Sequence, residues 1–496
     1  MRRRSWLVWA IVVGTIAATA MVAVPAGAAA SCKASSAKQF ANCVTLQGVR
    51  EHQAAFQAIA DANGGNRFSG LPGHDESVAY VVDRLEAAGY TPTVQPFDYT
   101  AYAVLGPSAL EQTAPGSVTY VEGVDFAVME QSDPGDVTAA VTPVDINLVL
   151  PRDSSSGCEG LVTTGEPGDF AGFPAGNIAL LQRGTCTFED KVENAAAAGA
   201  VGAIIFNQGN TPEREVLLED VTLGATNTSG IPVVGTSFAR GEEWATTAGL
   251  VMHVFTNVER ETKTTFNVLA ETRFGNDDNV VVVGAHLDSV RDGPGINDNG
   301  SGSAAILEVA ENLAKIRVKN TVRFAWWGAE ESNLIGSDFY VLESLTEEEL
   351  ADIALYLNFD MIGSPNFVRF VYDGDGSAFG LPGPDGSAAI EQLFVDFYSS
   401  RGLASEPTQI DFRSDYSAFF ESDIPFGGLF TGAEGIKTPE QVAIYGGVAG
   451  QQYDPCYHEA CDTFDNVNLD VLDLNADSVA FSTFTYAMST SSVTGG

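Results

Sequence analysis

The 496-residue sequence predicts an α/β protein, with a mainly parallel central sheet, helices on both faces, and a small β-rich insert. Three observations carry that prediction. Between residues 262 and 490, apolar strand-like runs alternate with helical periodicity, the order that builds a parallel sheet. Val280-Val281-Val282-Val283-Gly284-Ala285 is apolar at every position, as a strand covered on both faces must be. From about 106 to 258 the texture turns instead to short glycine-rich strands with few long helices.

The elements follow in chain order. Residues 1–30 read as a cleavable leader: Arg2, Arg3 and Arg4 precede a mostly apolar run from Trp6 to Val24, and Ala26-Gly27-Ala28-Ala29-Ala30 offers small-residue cleavage sites. A secreted, extracellular protein is therefore expected. Val49, Phe56, Ile59 and Ala60 recur at helical spacing, and so do Val78, Val81, Val82, Leu85 and Ala88, with Gly89 placed as a C-cap. Residues 93–99 alternate like a strand. In the insert, 178–181 reads as a buried strand, 188–199 as a helix and 200–206 as a second strand. After the 280–285 run come a helix through Ala304, Leu307, Ala310, Leu313 and Ala314, the strand 321–327, a helix near 332–342 and the strand 355–359. Residues 491–496 form a C-terminal tail.

Composition narrows the function. A content of 45% hydrophobic and 10% aromatic residues supplies packed cores, which rules out wholesale disorder. With 65 acidic and 25 basic side chains, the formal net charge is −40. That balance excludes nucleic acid and anionic membrane surfaces as partners, because phosphate binding needs clustered Lys and Arg. Beyond the leader no stretch is long and apolar enough to span a membrane. Six cysteines in an oxidising compartment favour disulfides, and proximity pairs Cys32 with Cys43, Cys158 with Cys186, and Cys456 with Cys461.

The chemistry is expected at the carboxyl ends of the strands, where open α/β sheets bind ligands. His286 and Asp288 follow the first apolar run, and Asp298 lies in the next loop, PGINDNGSGS. Glu330 and Glu331 follow RFAWWG, Asp360 follows LYLNF, and His458 sits in the cysteine-flanked loop CYHEAC. Only five histidines occur in the chain, and two of them fall in this set. Carboxylates mixed with imidazole suit zinc or a similar divalent ion. Five such ligands exceed one open tetrahedral site but suit two ions sharing a carboxylate, which points to a two-metal hydrolase.

Two resemblances extend this reading. AHLDSVRDGPGINDNGSGS, FAWWGAEESNLIGS, LNFDMIGSPN, FRSDYSAF and YDPCYHEACD together resemble the secreted zinc aminopeptidases of family M28, of the streptomycete type that prefers bulky apolar N-terminal residues. NIALLQRGTCTF, KVENAAAAGAVGAIIFNQG and GIPVVGTSFARGE resemble the protease-associated (PA) domain, a non-catalytic insert. The resemblances imply a zinc-exopeptidase-like catalytic domain from 31–105 and 259–490, split by a PA domain at 106–258. They imply two zinc ions, bridged by Asp298, with His286 and Asp360 completing one site and Glu331 and His458 the other. Glu330 would be the general base and Tyr457 would support the oxyanion. Asp288 would orient His286, and Arg413 would line the substrate pocket. The implied substrates are peptide or protein N-termini. Relatives of this type also bind calcium, for which Asp462 or Asp465 would be candidates. The family includes carboxypeptidases and glutaminyl cyclases with many of the same ligands, and scaffolds of this plan that have lost the metal ligands act as binding proteins.

Overall fold

The computed structural model describes residues 32–160, 162–163, 166–219, 221–224 and 226–495. The expected leader, 1–30, lies outside the described residues. Two eight-stranded sheets divide the chain. The larger takes its strands in the spatial order Thr93–Val104, Val258–Glu271, Thr321–Trp327, Val280–His286, Ile353–Phe359, Phe426–Phe430, Phe370–Tyr372 and Glu406–Thr408. Its centre is parallel, from Thr321–Trp327 through Phe426–Phe430. Antiparallel pairings flank that centre on both sides, so the sheet is mixed.

Burial on both faces explains the continuous apolar runs. Val281, Val283 and Ala285 point into one core, shared with the helices Leu46–Ala62, Pro72–Ala88, Gly300–Leu313 and Leu469–Met488. Their neighbours Val280 and Val282 point the other way, toward Tyr340, Val341, Tyr416 and Phe419. The two-residue period of a strand turns one apolar sequence into the walls of two cores. Gly89 caps the Pro72–Ala88 helix in the left-handed conformation, φ 105°, as its placement in the sequence predicts.

The expected helix near 332–342 forms differently. An α-helix runs only from Ile335 to Asp338 and continues as a π-helical turn, Phe339–Ser344. Ala329, Asn333 and Leu334 all have positive φ, so the chain turns sharply around Glu330 and Glu331 before any helix begins. The tail is docked as well: Ser491–Thr494 is a helical turn with Val493 buried, held by Thr490 bonding to Asn279.

The smaller sheet takes its strands from Ala109–Ala114 to Val251–Thr256, and contains the parallel unit Ile178–Gln182, helix Phe188–Ala197 and Gly202–Phe206. The three disulfides pair Cys32–Cys43, Cys158–Cys186 and Cys456–Cys461, as proximity predicts. Among the described residues no helix is long and apolar enough to cross a membrane.

Candidate active site

Three adjacent parallel strands end side by side, and each delivers a polar group to the same place. Val280–His286 ends in His286, Thr321–Trp327 leads to Glu330 and Glu331, and Ile353–Phe359 leads to Asp360. Asp298 arrives from the loop before the Gly300–Leu313 helix, and His458 from the loop closed by the Cys456–Cys461 disulfide. All five expected metal ligands therefore converge.

Their geometry divides into two halves about Asp298. Its Oδ1 lies 3.2 Å from His286 Nε2, while its Oδ2 lies 3.4 Å from His458 Nε2. Each histidine then meets a second carboxylate: His286 Nε2 is 3.3 Å from Asp360 Oδ1, and His458 Nε2 is 3.0 Å from Glu331 Oε2. Glu330 Oε2 stands 3.8 Å from His286 Nε2. Both adjacent glutamates are buried, with side chains 8% and 4% exposed, so neither is a surface charge. Asp288 is buried too. Its Oδ1 is 3.5 Å from His286 Nδ1 and accepts the Glu330 backbone N–H at 3.3 Å, the position expected of an orienting carboxylate.

The electrostatics are those of a cation site. Burial works to lower the pKa of His286, but the charges of Glu330 and Asp360 and the bonds to Asp288 and Asp298 hold it well above the ordinary value. His458 is raised to about 10, because Asp298 and Glu331 outweigh burial. Burial pushes Glu330 well up despite the pull of His286, and Asp360, Asp415 and Glu331 push the same way. Glu331 rises to about 7 through burial and Asp298. The cluster thus favours protonation of its groups, the signature of more buried negative charge than its imidazoles balance. Glu331 Oε1 and Asp360 Oδ1 are buried with no hydrogen-bond partner, so the donor set fits metal ions on chemistry as well as on spacing.

Several residues shape the site in ways the sequence reading did not assign. Arg67 is fully buried and its guanidinium donates to the carbonyl oxygens of Leu287, Pro294 and Gly295, gathering the loop that ends in Asp298. Asp462 holds the same loop from the other side, accepting the Asn297 and Asp298 N–H groups at 2.9 Å each. Asp465 is exposed, and among the described residues neither belongs to a three-ligand group. Ser414 Oγ donates to Asp360 Oδ2 at 2.7 Å.

A cavity of about 550 Å³ opens beside the cluster. Met361, Phe370, Tyr372, Phe412, Phe430 and Tyr453 supply apolar and aromatic surface, and Asp298, Glu330, Glu331, Asp360 and His458 border it. Arg413 and Tyr457 line it as expected. The Tyr457 hydroxyl accepts from Arg413 Nη2 at 3.2 Å, and Arg413 Nη1 bonds Glu434 at 2.7 Å. The Tyr457 ring stacks on His458 at 3.8 Å. Burial, then Asp298 and Glu331, raise the Tyr457 pKa, so the phenol keeps its proton.

Comparison with known proteins agrees with the site. Residues 267–483 match the family model of peptidase family M28, and residues 144–244 match that of the PA domain. An aminopeptidase of Pseudomonas aeruginosa is 55% identical over 448 residues, 90% of this chain and 82% of that protein. Leucine aminopeptidase 2 of Trichophyton equinum is 41% identical over 452 residues, 90% and 85% of the two chains. Among solved structures, an aminopeptidase from Aneurinibacillus sp. strain AM-1 is similar with TM-score 0.64 and 27% identity, covering 90% of this chain and 95% of that one. The chain belongs to peptidase family M28. Within that family it is an aminopeptidase, with a PA domain in the same chain.

Proposed function

We propose that the protein is a secreted, co-catalytic two-zinc aminopeptidase that releases bulky apolar residues from peptide and protein N-termini. In this reading residues 1–30 are the leader, 31–105 and 259–490 the catalytic domain, and 106–258 the PA insert. One observation carries it: the two oxygens of Asp298 face two different histidines, each backed by its own second carboxylate, at the border of an aromatic cavity. His286, Asp298 and Asp360 would hold one ion, and His458, Asp298 and Glu331 the other. When bound, two such ions supply Lewis-acid polarisation and an acidified water near neutral pH.

The chain's own residues do the rest. Glu330 is buried beside the cluster, and its raised pKa suits a group that takes a proton from water and returns it to the leaving amine. The Tyr457 hydroxyl, with its oxygen already accepting from Arg413, keeps its own proton to donate to a developing oxyanion. The free α-amino group of a substrate meets carboxylates, Glu330 and Asp360, at the cavity border.

Charge favours aminopeptidase over carboxypeptidase action. Among the described residues lining the cavity, Arg413 is the one Lys or Arg, and Glu434 already neutralises it. Arg369 and Lys437 point instead to backbone carbonyls, Ala404 and Asn366 with Phe367. The test is a panel of amino-acid p-nitroanilides with and without a chelator, followed by zinc. Leucine, methionine and phenylalanine substrates should be cleaved best, N-acetylated ones not at all, and zinc should restore chelated enzyme. Chelator-insensitive cleavage would overturn the metal assignment, and cleavage of acetylated substrates the aminopeptidase reading.

A further inference from the structure

Away from this site, a third imidazole meets two further carboxylates. His52, on the Leu46–Ala62 helix, is fully buried. Glu308 and Glu311 reach it from the Gly300–Leu313 helix, where a spacing of three places them on one face. His52 Nε2 lies 3.8 Å from Glu308 Oε2 and 3.9 Å from Glu311 Oε1. Both distances suit a loose ion pair but are too long for hydrogen bonds, and Nε2 has no hydrogen-bond partner. The other ring nitrogen, Nδ1, is 2.8 Å from the Tyr80 hydroxyl.

A buried ring nitrogen aimed at two carboxylates, bonding neither, needs an explanation. A protonated His52 with a simple ion pair would be expected to close on one carboxylate to bonding distance. One ligand atom from each of the three side chains lies within 4.8 Å of the others. An ion centred among atoms so spaced would sit roughly 2.1–2.5 Å from each, the range of zinc and calcium bonds to nitrogen and oxygen. The Tyr80 contact holds the far side of the ring, as partners of metal-bound histidines commonly do.

Charge and space agree. Arg84 pairs with Glu311, Nε to Oε1 at 2.5 Å and Nη2 to Oε2 at 2.7 Å, and each carboxylate oxygen keeps a second lone pair. Among the described residues Glu308 has no Lys or Arg partner, so one negative charge is left over. Gly48, one turn before His52, lets Glu308 tuck against the helix: a Cβ there would lie 2.3 Å from its Cδ.

We propose that His52, Glu308 and Glu311 bind a divalent cation, with zinc the best match to mixed imidazole and carboxylate ligands. The ion would pin the Leu46–Ala62 helix to the Gly300–Leu313 helix, whose N-cap, Asn299, directly follows Asp298. Its role is structural, so its loss should spare turnover. The test loads the full mature enzyme with zinc, removes the excess, and counts zinc per chain by mass spectrometry in wild type and Glu308→Gln. Wild type should hold one more ion than Glu308→Gln, with peptide turnover unchanged and a lower unfolding midpoint in the variant. Because the readout is a difference, it stands however many ions the active site holds. Equal zinc content would overturn the proposal and leave His52 as an ion-pair partner only. Should Glu308→Gln not fold, anomalous diffraction from zinc-soaked wild-type crystals decides: a peak between the three side chains supports the site, and its absence refutes it.

Discussion

Replacing Asp462 with alanine isolates what positions the central carboxylate of the active site. Asp462 touches no other expected ligand side chain. It accepts the backbone N–H groups of Asn297 and Asp298, with Asn466 Nδ2 at 3.2 Å as a third donor. The substitution leaves two buried N–H groups without an acceptor, at about 1–3 kcal/mol each, so about 2–6 kcal/mol in total. The contact from the Ile296 N–H to the Asp462 carbonyl survives, so the loop should loosen locally and not detach. If half of that cost falls on holding Asp298 in place, zinc affinity drops about 10–100-fold, the usual size for partners of metal ligands. Activation curves in zinc buffers measure this directly. The expected result is a curve shifted to higher zinc by that factor, with kcat at saturation within about threefold of wild type. An unshifted curve would refute the reasoning. So would a kcat that zinc cannot restore, because Asp462 would then act on the reaction itself.

Glu330→Gln should keep its zinc while turnover falls about 10²–10⁴-fold, as loss of a positioned proton carrier implies, and metal analysis beside steady-state kinetics checks both. Tyr457→Phe should lower kcat about 10²–10³-fold with little change in KM, since its hydroxyl would serve the oxyanion and not the ground state. Glu259→Gln probes the acid limb of stability. Bonds from Arg291 and Lys263 outweigh burial and lower the Glu259 pKa from 4.5 to about 2. A depressed carboxylate stabilises above its unfolded pKa, and that stability fades as pH falls from 4.5 toward 2. Wild type should therefore unfold at a higher temperature than the variant near neutral pH, by a difference worth at most about 1 kcal/mol, and the gap should close in acid.

What was legible in the sequence, and what was not, divides by the range of the signal. His286, Glu330, Glu331 and Asp360 each sit at or within four residues of the end of a strand whose apolar run marks that end, so the placement rule for parallel sheets located them. Gly89 was readable because a helix end favours the one residue that takes a left-handed turn without strain. Arg67 and the loop-holding role of Asp462 were not. The Arg67 partners lie 220 or more positions away, and the Asn297 and Asp298 N–H groups that Asp462 accepts lie 164 or more away, so no local pattern shows either contact. The late start of the helix expected at 332–342 was hidden for a different reason. Ala329 and Leu334 adopt positive φ although neither residue type favours it, so tertiary demands on the glutamate pair overrode local preference. The strands Phe370–Tyr372 and Glu406–Thr408, three residues each, were too short to show a period, which is why the antiparallel turn of the sheet at Phe370–Tyr372 went unseen.

The buried charge in this site links metal binding to folding. Asp288, Asp298, Glu330, Glu331 and Asp360 are all withdrawn from water, against two imidazoles and the Arg67 guanidinium. Burial and mutual repulsion push Glu330 and Glu331 upward together, while the imidazoles rise to compensate, so without cations the cluster recruits protons in their stead. Protons balance the charge but leave Glu331 Oε1 and Asp360 Oδ1 buried without hydrogen-bond partners. Cations can satisfy both demands at once, so part of their binding free energy must appear as folding free energy. The same contacts that hold Asp298 in place, from Arg67 and Asp462, then serve the empty and the filled site alike. Without ions they oppose the repulsion of like charges, and with ions bound they would fix the carboxylate that the two proposed metal positions share.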